Sequence, residues 1–178
     1  GQTSHSAMPN RPSFMTAHRS LNNLKRTYMH HDEERAQAIL RSARSWLGTP
    51  YLHQASVKGV GCDCLGLIRG VWRDVVGPEP ETAPAYSSAW AEVDRSEKLL
   101  SVAQRHFDEV SQNEMAAADV LVFRLRRGVA AKHVGLLSDA HHFIHAYDGN
   151  CVVESALSDF WRRRIAGVFR FPEIGGAN

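Results

Sequence analysis

Cysteine is scarce. Cys62, Cys64 and Cys151 are the only three in 178 residues, an odd and small number that excludes a disulfide framework. Cys62 and Cys64 are also too close in the chain to bridge comfortably. Long apolar runs are missing: none reaches the roughly 18 residues a membrane-spanning helix needs. An excess of one charge is missing too. The 21 Lys and Arg against 19 Asp and Glu leave a net charge of +2, too mild for a nucleic-acid-binding protein. Two short basic runs, Arg124-Leu125-Arg126-Arg127 and Arg162-Arg163-Arg164, read as solvated rims or, more boldly, as contacts with an anionic polymer such as a cell wall. The first residues lack the basic-then-apolar pattern of a secretory leader, so a substrate outside the cytoplasm would have to be reached by another carrier. Gly1 is not an initiating residue, and Met8, Met15 and Met29 are alternative starts.

What is present is a globular composition, with 43% hydrophobic residues and no internal repeat. Residues 1–31 are rich in Ser, Thr, Asn, His and Pro without sustained periodicity, and are expected to form a tail that is flexible or ordered by a partner. Residues 32–178 are expected to form the domain. Asp32 is expected to cap a first helix whose stripe is Ala36, Ile39, Leu40, Ala43, Trp46 and Leu47, with Gly48 and Pro50 ending it. Residues 51–61 read as a loop, and a second helix starts at or just before Cys64, with Leu65, Ile68, Val71, Trp72 and Val75 inward and Gly77-Pro78 at its end. Residues 78–91, with Pro78, Pro80 and Pro84, read as a surface loop, and a third helix covers about 94–107. Five strands follow, at 120–125, 132–138, 142–146, 151–154 and 167–171, with Asp148-Gly149-Asn150 as a hairpin turn. Helices first and strands second predict an α+β domain with helices packed on a mostly antiparallel sheet.

The chemistry gathers on a thiol that opens a helix, Cys64 in Gly61-Cys62-Asp63-Cys64-Leu65-Gly66, and on a later strand histidine, His133 in Lys132-His133-Val134-Gly135-Leu136. This is how cysteine hydrolases place a nucleophile and its base. The helix N-terminus and an imidazolium would both favour thiolate, and the first N–H groups of the helix could hold an oxyanion. His145, in Phe143-Ile144-His145-Ala146, is the candidate to orient His133; His142 is the rival, but three residues apart on one strand the two face opposite sides. Taken singly, a thiol such as Cys64 is more often a buried structural one, and a histidine such as His133 is as often a satisfied strand residue as a catalyst. Cys62 and Cys151 read as buried apolar residues. No metal or other cofactor is expected, because Cys-x-Cys is an uncommon zinc spacing and the downstream histidines lack a matching pair.

Five ordered pieces carry a resemblance: Leu47-Gly48-Thr49-Pro50-Tyr51, Asp63-Cys64-Leu65-Gly66-Leu67, Ala118-Asp119-Val120-Leu121-Val122-Phe123, His133-Val134-Gly135-Leu136 and Phe143-Ile144-His145-Ala146. Over about residues 34–171 the chain resembles the NlpC/P60 family of cell-wall cysteine peptidases, which have a papain-like α+β fold. The resemblance implies a peptidase acting on peptidoglycan stem peptides, with the D-γ-glutamyl-diaminopimelate (or lysine) bond as target. It implies Cys64 as nucleophile, His133 as base, His145 as orienting residue, Tyr51 as an oxyanion-holding hydroxyl and Asp63 as an aid to substrate binding. The form Cys62-Asp63-Cys64-Leu65-Gly66-Leu67 looks most like the subgroup encoded with phage tails and gene transfer agents. That implies a place at the tip of a tail-like particle, hub or tip proteins as partners, and action in the periplasm or wall. Two departures stand out: Leu65 where many members have Ser, and Leu52-His53-Gln54-Ala55 where Trp-Gly-Gly is usual. The other classes open at this stage are a structural tail-tip protein that keeps the fold for binding, and an N-acetylmuramoyl-L-alanine amidase or acyltransferase with the same triad.

Overall fold

A computed structural model describes residues 14–81 and 97–173. Its contacts divide the chain into two units, Gly1–Arg35 and Ala36–Asn178. Helix α1 runs Phe14–Arg44, so Asp32 is internal to a helix rather than its cap, and residues from Phe14 to His31 are helical rather than aperiodic. The physical reason is that no Pro or Gly stands between Pro12 and Gly48. A solvated helix needs good propensity but no apolar stripe, and Leu24, Tyr28 and Met29 are exposed on it. Among the described side chains the buried stripe belongs to the second unit: Ile39, Leu40, Ala43 and the following Trp46 are buried. The chain leaves the helix through a turn in which Gly48 takes the left-handed conformation at φ +81°. It is then tied to the far strand by Gly48 N–H to the Val152 carbonyl and Val152 N–H to the Thr49 carbonyl, both 2.9 Å.

The stretch expected to be a plain loop after Tyr51 contains a small antiparallel hairpin, β1 (Ser56–Val57) and β2 (Gly61–Cys62). Strands this short leave no alternation to read. Helix α2 is Cys64–Val75 and buries Leu67, Ile68, Val71 and Trp72. It lies hard against the end of α1, for a Cβ on Gly70 would fall 1.9 Å from the Trp46 ring. Helix α3 is Lys98–His106; the earlier start at residue 94, and most of the 78–91 loop, lie outside the described residues.

The sheet has six antiparallel strands, not five: β3 (Asp108–Val110), β4 (Val120–Phe123), β5 (His133–Leu137), β6 (His142–Ala146), β7 (Val152–Ala156) and β8 (Ile165–Arg170), in the order β3-β8-β4-β5-β6-β7. The strand missed from sequence, β3, is a largely exposed edge strand of Asp-Glu-Val with no apolar pattern. A one-turn helix, α4 (Asp159–Arg162), precedes β8. Among the described residues no helix is long and apolar enough to cross a membrane.

The sheet separates two apolar layers. Val122, Val134, Leu136, Ile144 and Phe169 pack with α2 and the end of α1. Leu121, Phe123, Leu137, Phe143, Leu157 and Val168 form the layer on the other face, closed by Trp161. Each large aliphatic or aromatic side chain fully buried here contributes about 1.5–3 kcal/mol. Asp119 organises the entry to β4. It is buried, accepts the Ala116 N–H (2.8 Å) and takes both arms of Arg170 on neighbouring β8 (2.8 Å each), which explains Ala118-Asp119 as a structural motif.

Candidate active site

Cys64 is the first residue of α2, and Asp63 is the cap before it. The Asp63 carboxylate is 2% exposed, and both its oxygens are occupied: Oδ1 accepts the Gly66 N–H (2.8 Å) and Oδ2 the Gln54 N–H (2.7 Å). These two bonds hold the turn that presents the thiol. Gln54 sits at φ +64°, in the left-handed region, and the Asp63 bond helps hold it there. Gly66 is required by close approach, since a Cβ there would lie 1.9 Å from the Ala55 carbonyl oxygen.

The thiol is half-buried against the start of β5. Its S–H points to the Lys132 carbonyl (4.0 Å), while the N–H groups of Val134, Leu65 and Cys64 itself approach the sulfur. Burial, and next the Asp63 charge, push the Cys64 thiol up to about 12; the three N–H groups oppose this. Cys62 is fully buried, and burial pushes its thiol up to about 12 as well. All three cysteines are free, with Cys151 half-buried. Tyr51 is fixed through its backbone to Asn150 (N–H to carbonyl, 2.9 Å) and by a bridge to Cys62. Burial, then the charges of Asp148, Cys64 and Asp63, push its phenol up to about 12, so it is a hydrogen-bond donor at any working pH.

His133 and His145 meet: His133 Nε2 lies 2.9 Å from His145 Nδ1, with the rings nearly perpendicular. Strands β5 and β6 pair only through Leu136–Ile144 and Leu137–Phe143, and beyond that pairing His145 reaches diagonally to His133. Gly135 makes this reach possible. A Cβ there would fall 2.7 Å from the Phe143 ring, 3.0 Å from the Ile144 carbonyl oxygen and 3.2 Å from the His145 Cβ. His142 is exposed at the first position of β6 and pairs with Asp139 (3.0 Å), away from this cluster.

Two residues of the cluster carry no sequence signal. Ser155, on β7, places its Oγ 3.0 Å from His145 Nε2. Trp161, on α4, lies 5.4 Å from the His133 ring at 32° and 5.5 Å from the His145 ring at 72°. Phe143 stacks on His145 at 4.3 Å. Burial in this aromatic setting pushes His133 down to about 3, helped by the neighbouring His145, and His145 down to about 4. Both rings are therefore neutral near pH 7. Among the described residues no group of three His, Cys, Asp or Glu is arranged to hold a metal ion.

The hydrogen bonds admit one self-consistent arrangement with a free base. If His145 donates Nε2–H to Ser155, its Nδ1 accepts Nε2–H from His133, and His133 Nδ1 is left without a proton. A neutral thiol, a neutral imidazole with one bare nitrogen, and helix N–H groups at the sulfur form a set able to perform acyl transfer.

Comparison with known proteins places the chain in a family. The family model described as NlpC/P60 family matches residues 48–170. The Gamma-DL-glutamyl hydrolase of Bacillus subtilis (strain 168) is 25% identical over 138 residues, 76% of this chain and 29% of that protein. The Murein DD-endopeptidase MepS/Murein LD-carboxypeptidase of Escherichia coli (strain K12) is 25% identical over 127 residues, 71% of this chain and 57% of that protein. The chain thus spans from under a third to a little over half the length of these relatives. Among solved structures, the NlpC/p60 domain of the peptidoglycan hydrolase SagA aligns at a TM-score of 0.55 and 20% identity, covering 76% of this chain and 98% of that one. An NLP/P60 family protein similar to lipoprotein, from Staphylococcus aureus subsp. aureus Mu50, aligns at 0.54 and 24%, covering 78% and 41%. The match of 48–170, on an α+β fold shared with those structures, means that this chain belongs to the NlpC/P60 family.

Proposed function

We propose that the chain is a cysteine endopeptidase that cleaves peptidoglycan stem peptides, with the D-γ-glutamyl-diaminopimelate bond as its preferred target. The observation that carries this reading is the chain His133–His145–Ser155, which begins on the strand whose preceding carbonyl, that of Lys132, lies 4.0 Å from the Cys64 sulfur. The γ-glutamyl preference draws support from the similarity to a gamma-DL-glutamyl hydrolase.

In this mechanism His133 Nδ1 takes the Cys64 proton as the sulfur attacks the carbonyl carbon. The developing oxyanion is held by N–H groups at the start of α2 and by the Tyr51 hydroxyl. His133 then protonates the leaving amine, the C–N bond breaks, and a thioester remains. Water, deprotonated by His133, attacks the thioester and releases the acid and the thiol. His145 holds His133 in the required tautomer, and the rings of Trp161 and Phe123 beside His133 stabilise the transient imidazolium in a dry site. Because burial disfavours both charged forms, the resting pair is neutral and the proton moves only as attack begins.

The biological setting we propose is a phage tail or gene-transfer-agent particle, with residues 1–31 contacting hub or tip proteins and the enzyme acting on the wall during DNA delivery. The Cys62–Leu67 sequence form and the exposed Leu24, Tyr28 and Met29 on α1 support it. Mass spectrometry of purified peptidoglycan and defined muropeptides after digestion tests the activity. Stem-peptide fragments that disappear with Cys64→Ala are expected. Release of intact stem peptides from the glycan would instead make the chain an amidase, and no products from any wall type would leave a structural role.

A further inference from the structure

The two basic runs, distant in sequence, meet in the fold. Arg124 N–H donates to the Arg164 carbonyl (2.8 Å) next to the pairing of Phe123 with Ile165, so the loop after β4 and the turn before β8 leave the sheet side by side. The hollow between them is lined by Arg124, Arg126, Arg127, Arg163 and Arg164.

These arginines divide into two sets. Two are committed to the frame. Arg124 Nη1 donates to Glu97 and to the Val129 carbonyl (2.5 Å), and Arg164 donates to the Leu125 (3.2 Å) and Phe160 (2.8 Å) carbonyls while its guanidinium covers the Phe160 ring at 3.6 Å. The other three, Arg126, Arg127 and Arg163, are exposed, and their side chains have no hydrogen-bond or ion-pair partner among the described residues. Gathering unpaired guanidiniums in one hollow is self-repulsive and contributes nothing to folding, but it concentrates positive potential for an anion. The planar fork of Arg suits a carboxylate.

The hollow also opens two strands away from His133. Phe123 pairs with His133 on one side and with Ile165 on the other. With strands about 4.8 Å apart, the turn before β8 is on the order of 10 Å from the His133 backbone. An extended peptide covers about 3.5 Å per residue, so a group roughly three residues from the scissile bond spans that distance. We propose that this arginine hollow is a substrate subsite that takes the free carboxylates of the stem peptide held at Cys64. The identity of the ligand rests on the peptidase reading above; the hollow's preference for an anion does not.

The test uses the full chain made inert by Cys64→Ala, with and without Arg126→Gln, Arg127→Gln and Arg163→Gln together. Those side chains make no bonds among the described residues, so thermal unfolding is expected to be unchanged. Binding is measured for muropeptides with free carboxylates, for the same muropeptides amidated, and for inorganic polyphosphate. Free carboxylates are expected to bind about tenfold tighter than amidated ones, with the preference lost in the triple variant. In the active chain the triple variant is expected to raise KM with little change in kcat. Equal binding of free and amidated muropeptides, with or without the three arginines, would overturn the proposal. Arginine-dependent binding of polyphosphate alone would also overturn it, by assigning the hollow to phosphate polymers. Failure of the peptidase reading looks different: the parent chain hydrolyses nothing while arginine-dependent binding persists.

Discussion

Removing one hydroxyl should disable the base without touching substrate. Ser155 Oγ is 3.0 Å from His145 Nε2, and His145 is fully buried, so Ser155→Ala leaves an imidazole N–H without an acceptor. Such a buried unsatisfied group costs about 1–3 kcal/mol. In a domain of this size each kcal/mol moves Tm by roughly 3 °C, so a fall of about 3–9 °C is expected. The ring can escape the penalty by moving its proton to Nδ1. It would then donate to His133 Nε2 and drive the His133 proton onto Nδ1, the nitrogen that accepts from the thiol in the proposed mechanism. A bias of about 1.4 kcal/mol toward that state lowers the competent fraction about tenfold. We therefore expect kcat to fall about tenfold with KM unchanged, the imidazole 15N shifts to report the altered tautomer, and Ser155→Thr to restore both. Unchanged tautomers and an unchanged kcat in Ser155→Ala would refute this reasoning; a lower Tm alone would reduce Ser155 to a packing role.

Gly135→Ala is expected to cost about 1–3 kcal/mol from overpacking against Phe143 and the Ile144 carbonyl, and to lower turnover by separating the two histidines; thermal unfolding and stem-peptide hydrolysis measure both. Asp63→Asn should destabilise by about 1.5–3 kcal/mol, because an NH2 group would face the Gln54 N–H. The same change should lower the Cys64 pKa, read from thiolate absorbance or the pH dependence of alkylation, because the Asp63 charge raises it. His133 and His145 have folded pKa values below the unfolded one, so their stabilisation is complete above pH 6.5 and is lost as pH falls toward about 3–4. Each contributes up to about 1.36 kcal/mol per pH unit in that window, measurable by denaturation at stepped pH. The acid limb of kcat/KM should likewise lie well below pH 6.5, and a limb at or above 6.5 would contradict a neutral, buried base.

Legibility followed the strength of local signals. Helix α2 was readable because its apolar residues recur at helical spacing and Asp63 stands at the cap. The strands β4, β5 and β6 were readable as runs bounded by turn residues, and Gly149 at φ +73° sits in the expected hairpin turn. The early start of α1 was not, because a polar segment without Gly or Pro looks like a tail to any test based on an apolar stripe. The strands β1, β2 and β3 were not, because two or three residues carry no period. Within the site, Cys64, His133 and His145 stood in recognisable runs, whereas Ser155 lies in a strand with alternating exposure where serine is unremarkable.

The order of residues along the chain by itself determined the family, the α+β class, the helix that opens on Cys64 and the two histidines on successive strands. These follow from propensities and short motifs that act over a few residues. Tertiary structure alone decided what those residues meet. Antiparallel pairing placed β7 beside β6, so that Ser155 Oγ could hydrogen-bond His145 Nε2. The close approach at Gly135 let one ring reach the other, and packing of α4 over the sheet put Trp161 against both. The pairing of β4 with β8 joined two arginine runs into one hollow. Each of these is a contact between residues far apart in sequence, set by strand register and burial, and no local pattern encodes it.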